Sequence, residues 1–139
     1  MKNIKRESVY GYPDFITRLP EADLPFEGIR GWLLQADKSQ LVFFEFESDV
    51  KVPEHSHSYP QWGFVIAGKM ELVVEGKTIM CEKGSEYLVL AEAKHFANFL
   101  SPTRVIDYFT ELNRYKAKLP EISKAGSLGS TLIKRSQSK

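Results

Sequence analysis

Three histidines are the residues whose type and placement invite chemistry in this chain. His55 and His57 stand one residue apart in VKVPEHSH. If that segment is a strand, positions i and i+2 share a face. Two imidazoles on one face can converge on one ion, and neutral imidazole ligates Zn, Ni, Cu and Fe. Gln61 opens the next apolar run, after Ser58-Tyr59-Pro60, and His95 opens another downstream. A barrel would let all four side chains meet at one point. A lone His-x-His pair fits an exposed polar strand face equally well, so the reading depends on the elements around it.

Those elements are short. The runs are GWLLQA (31–36), QLVFFEFE (40–47), VKVPEHSH (50–57), QWGFVIA (61–67), MELVVE (70–75), TIMCE (78–82), EYLVLA (86–91), HFANFL (95–100) and RVIDYFTE (104–111). Turn residues such as Asp37-Lys38-Ser39, Gly68-Lys69 and Gly76-Lys77 separate them. Short, evenly spaced segments of this kind predict an all-β sandwich or barrel, and none keeps a 3.6-residue period. Residues 1–30 carry Pro13, Pro20 and Pro25, which suit an irregular lead-in over the outside of the barrel rather than a central strand. After Leu112, NRYKAKLPEI reads as a short helix or turn against the barrel. The stretch SKAGSLGSTLIKRSQSK reads as a frayed tail. The expected organisation is a lead-in over 1–30, a barrel over 31–115 and a partly disordered segment over 116–139.

A length of 139 residues suits one domain, and 42% hydrophobic with 27% charged residues describes an ordinary globular chain. The net charge of +1 argues against a polyanionic partner, and the late bases Lys124, Lys134, Arg135 and Lys139 read as a solvated end. No run resembles a signal peptide or a membrane span, so the expectation is a cytoplasmic protein with no membrane or nucleic-acid partner. The single cysteine, Cys81, excludes an internal disulfide and a Cys-based zinc site, and reads as a small buried hydrophobe. Gly76-Lys77-Thr78 lacks the earlier glycine of a phosphate loop, because position 71 is Glu71; it reads as a hairpin turn.

The combined pattern resembles the cupins over about residues 31–111. His55-Ser56-His57, Gln61 and Gly68 match the first cupin motif. Gly76, Gly84, His95 and Asn98 match the second. Three positions depart from it: no glycine precedes the histidine pair, Glu82 replaces a proline, and Gln61 replaces the usual glutamate. The resemblance implies a mostly antiparallel double-stranded β-helix, a jelly-roll-like barrel, with one divalent metal ion (Zn, Ni, Fe or Mn) held by His55, His57, Gln61 and His95. It also implies a homodimer.

The glutamine shapes the expected chemistry. An amide oxygen lends the ion a dipole and no charge, so the double charge stands uncompensated and the ion is the stronger Lewis acid. That favours non-redox work over oxygen activation. Cupins with this ligand set include small enzymes of pectin breakdown acting on unsaturated uronates, and polyketide cyclases. The resemblance therefore implies isomerase- or lyase-type chemistry on a small oxygenated molecule, a sugar acid or keto compound. Tyr59 and Glu92 in flanking loops, and Tyr108 on the last strand, are the candidate acid–base groups. A metal-dependent dioxygenase and a non-catalytic sugar-binding module are the alternatives. Trp62, Phe64, Phe96 and Phe99 fit either cavity lining or core and dimer contacts.

Overall fold

The period-2 alternation in each run decides which side of a strand faces inward. A computed structural model of the chain describes residues 11–111 and 113–119. The described strands are β1 (Ile29–Gln35), β2 (Gln40–Phe46), β3 (Lys51–His55), β4 (Gln61–Ala67), β5 (Lys69–Val74), β6 (Lys77–Glu82), β7 (Glu86–Val89), β8 (His95–Phe99) and β9 (Thr103–Phe109). They form two sheets, ordered β1-β2-β9-β4-β7 and β3-β8-β5-β6, with antiparallel pairing throughout. This is the all-β, antiparallel two-sheet barrel that the residue pattern predicts.

Inward residues from both sheets make the core: Val42, Phe44 and Phe46 on β2, Val105 and Phe109 on β9, Met70 and Leu72 on β5, Ala97 and Phe99 on β8. Cys81 is buried among them, and burial pushes its thiol up. Gly68 turns the chain between β4 and β5 with φ +94°, where a Cβ would meet the Pro102 carbonyl and Thr103. Val74 pairs with Lys77 across Glu75-Gly76, so Gly76-Lys77-Thr78 is a hairpin turn.

The lead-in is tied down where it is described. A four-residue helix, α1 (Asp14–Thr17), precedes an isolated bridge from Glu21 to Trp32 and another from Ala22 to Ala117. The segment after β9 forms this bridge and turns; it contains no helix among residues 113–119. The proposed tail beyond residue 119 and the first ten residues lie outside the described part. No described helix is long and apolar enough to cross a membrane.

Candidate metal centre

His55 ends β3 opposite His95, which begins β8. β3 is an edge strand, so it tolerates Pro53, and its register with β8 shifts between Val52 and His55. That bulge brings the His55 and His95 rings to 4.2 Å between centroids. His57 is not on the strand, as the sequence suggested, but in the loop beyond it. There its carbonyl accepts a 2.7 Å bond from the Glu92 amide, and its ring lies 4.9 Å from His95 and 5.7 Å from His55. The three rings offer ligand atoms that all lie within 4.8 Å of one another.

The hydrogen bonds fix the tautomers. Nδ1 of His55 faces the Pro53 carbonyl at 2.9 Å, Nδ1 of His57 the Tyr59 carbonyl at 2.7 Å, and Nδ1 of His95 the Ala93 carbonyl at 2.9 Å. A carbonyl only accepts, so each Nδ1 carries the proton and each Nε2 keeps a lone pair. Nε2 of His95 is buried and has no partner. Nε2 of His57 lies 3.2 Å from Oε1 of Gln61. In the neutral ring that contact opposes two acceptors, an arrangement that a positive group between them would relieve. Burial favours the neutral form of two of the rings: it lowers His95 to about 4 and holds His57 below the usual imidazole range. The three histidines therefore form a group that can hold a metal ion.

Behind Gln61 stands a group that the sequence reading missed. Asp107 points inward from β9, fully enclosed, and accepts a 2.6 Å bond from the Tyr87 hydroxyl. The Gln61 amide stands beside this carboxyl in the same cavity wall and favours its charged form. Burial raises Asp107 to about 6, with the Tyr87 bond and the Gln61 amide pulling it back. An ion held there would thus not lack a nearby negative charge, as Gln61 alone implied: a carboxyl shares the cavity wall with the amide. The signal was a lone acid among Val105 and Phe109 on the apolar face of RVIDYFTE. Gly63 makes room for it, because a Cβ there would fall 2.2 Å from the Asp107 carboxyl and 2.5 Å from the Tyr87 ring.

The three acid–base candidates fare differently. Tyr59 stacks on His57, centroids 4.6 Å apart and planes 11° from parallel, and so buttresses that ring. Glu92 is exposed and touches the site through its backbone amide. Tyr108 is a correction. Strand alternation puts it on the outer face beside Trp62, opposite in sense to Asp107. Phe96 and Phe99 line the interior cavity, whereas Trp62 and Phe64 face outward. Arg114, also unforeseen, lines that cavity with its guanidinium packed over Tyr59, Phe109 and Tyr115, and its Nε is buried without a partner.

The family model for the cupin domain matches residues 42–109, which span β2 to β9 and all four residues of the site. Over these residues the chain matches the cupin domain. Solved structures of similar fold include KdgF from Halomonas sp., at 24% identity and TM-score 0.60, covering 63% of this chain and 83% of that one. An RmlC-like cupin from Shewanella frigidimarina matches at 20% identity and TM-score 0.63, covering 70% and 87%. A salicylate 1,2-dioxygenase from Pseudaminobacter salicylatoxidans matches at 12% identity and TM-score 0.59, covering 62% of this chain and 27% of that one. At these identities the likeness concerns the fold. No curated protein matches the sequence.

Proposed function

We propose that the cupin domain binds one divalent metal ion through Nε2 of His55, His57 and His95 and Oε1 of Gln61. The ion serves non-redox, isomerase- or lyase-type chemistry on a small carboxylate or keto compound. The observation that carries this reading is the set of three Nδ1 atoms each facing a backbone carbonyl, which leaves three Nε2 lone pairs aimed at one another. A bound ion would polarise a substrate carbonyl or acidify a hydroxyl.

The chain's own groups supply the rest. Gln61 turns its oxygen toward His57, which leaves its nitrogen for the side of the cavity wall that holds the Asp107 carboxyl. Asp107, held by Tyr87, lines the cavity and is the carboxyl placed to exchange a proton with a substrate there. Arg114 offers its unpartnered Nε to a substrate carboxylate, an arrangement that fits an acid better than a neutral sugar. The likeness to KdgF is compatible with this reading.

Mass-spectrometric metal analysis of purified protein tests it. Wild type should carry close to one equivalent of zinc or nickel, and His57→Ala should lose most of it. Iron accompanied by oxygen uptake would instead favour a dioxygenase. A wild type that takes up no metal when offered any of these ions overturns the proposal.

A further inference from the structure

The cavity beside the histidines is chemically divided. It lies between the two sheets and has a volume of about 100 Å³. Its polar members gather at one end: His55 and His95 pair across strands, Gln61 contacts His57, and Asp107, in the same wall, accepts a bond from Tyr87. Along β8 the inward residues run from His95 to Ala97 to Phe99, and along β9 from Asp107 to Val105. Two residues of strand advance roughly 7 Å, so the lining changes character within that distance. Leu72 faces Ala97 and Met70 faces Phe99 across the β5–β8 ladder, and Phe46 stacks on Phe99 at 3.7 Å. Phe44 and Val105 complete a wall without a hydrogen-bonding side chain.

A polyhydroxylated ligand fits that wall poorly. Each hydroxyl pressed against it would lose its water and gain no partner, which costs about 1–3 kcal/mol. An apolar cavity of this order stays dry and accepts hydrocarbon. We infer that the substrate is amphiphilic, with a carbonyl or carboxylate head at the histidine–Gln61–Arg114 end and a short alkyl or aryl group among Phe44, Leu72, Phe99 and Val105. This rests on the metal-dependent reading above and narrows it, favouring an acid or ketone with a hydrocarbon portion over a sugar acid.

Isothermal titration of zinc-loaded wild type with three hydroxamates tests the inference, since all three present the same metal-binding head. The probes are acetohydroxamate, butanohydroxamate and the polyhydroxylated gluconohydroxamate. Affinity should rise roughly fourfold per added methylene, so about tenfold or more from the first probe to the second. Gluconohydroxamate should bind no better than acetohydroxamate. Val105→Phe, which fills the apolar end, should erase the ratio between butanohydroxamate and acetohydroxamate affinity, a ratio read within the one variant, whose circular dichroism and zinc content report its fold. If the three probes bind wild type alike, or the hydroxylated one binds tightest, the inference falls and the metal site stands. If zinc or acetohydroxamate does not bind at all, the metal reading falls and takes the inference with it.

Discussion

Gln61 sits between groups with opposite demands: a lone pair on His57 at 3.2 Å and the buried Asp107 carboxyl. An amide satisfies both, since its oxygen and nitrogen point opposite ways. A glutamate there would set two carboxyls in contact inside the barrel, and one would have to stay protonated. We therefore expect Gln61→Glu to destabilise the metal-free protein by on the order of 2 kcal/mol. The double variant Gln61→Glu, Asp107→Asn should recover most of that loss. Thermal unfolding in the presence of a chelator measures both, and a single variant as stable as wild type would refute the coupling. This pair also marks the limit of what the residues alone disclose. The histidines stand out because there are only three in the chain. Asp107 is one of many acids, and its importance depends on which face of β9 it occupies. The same parity that buries Val105 and Phe109 would have selected it over Tyr108.

At the scale of strands, Gly63 is the position with least freedom. It lies opposite Tyr87 on β7 and Asp107 on β9, and their hydrogen bond passes over the space a side chain would fill. Gly63→Ala should cost about 1–3 kcal/mol, the range for overpacking, visible as a lowered unfolding midpoint in urea. An unchanged midpoint would mean that β4 can yield. A second element-scale device joins the lead-in to the segment after β9. Glu21 accepts bonds from Arg30 at 2.9 and 3.1 Å and from Lys118 at 3.4 Å, while backbone bonds run from Asp23 to Lys116 and from Lys118 to Glu21. The Arg30 hydrogen bond, aided by nearby positive charge, holds Glu21 below its ordinary value of 4.5. A depressed carboxyl stabilises above its unfolded pKa, and that share disappears as pH falls through the lower folded value. The ion pairs are solvent-exposed, so Glu21→Gln should cost only a few tenths of a kcal/mol. Amide exchange at Asp23 and Lys118 should quicken at pH 7, and the difference from wild type should vanish at strongly acidic pH. Equal exchange rates at pH 7 would show that the backbone bonds alone hold the segments. The strands themselves were legible because turn residues bound every run and apolar alternation marks most of them, β2, β8 and β9 above all. The clasp was not, because isolated bridges leave no periodic trace in sequence.

For the whole molecule, the outer face of the five-stranded sheet sets the largest demand on its surroundings. Register places Leu34 opposite Leu41, Leu41 opposite Tyr108, Tyr108 opposite Trp62, and Trp62 opposite Leu88. An apolar row thus crosses all five strands without a charge. The neighbouring row is covered in part by the chain itself, because Tyr12 packs edge-on against Trp32 and Phe43 and its hydroxyl bonds the Val105 carbonyl. The first row has no such cover among the described residues: Trp62 is 39% exposed, Leu88 46% and Leu34 51%, and Phe64 beside them is 45% exposed. Together these side chains leave on the order of 500 Å² of apolar surface, as large as the biggest patches that monomers carry. That is well over half of the roughly 800 Å² that each partner of a stable pair contributes. A second copy of this chain would suit the face, because a twofold axis through the Trp62–Tyr108 pair would set apolar row against apolar row. Sedimentation velocity at micromolar concentration should therefore show a dimer. Trp62→Glu should weaken it at least thirtyfold, the loss of one central aromatic anchor, and Leu88→Lys should do so less because β7 is at the sheet edge. A wild type that sediments as a monomer assigns the face to some other partner and overturns the prediction. Since Trp62 adjoins Gln61 and Tyr108 adjoins Asp107 along their strands, a dimer would also brace the strands that aim the site, and Trp62→Glu should then loosen metal binding as it splits the pair.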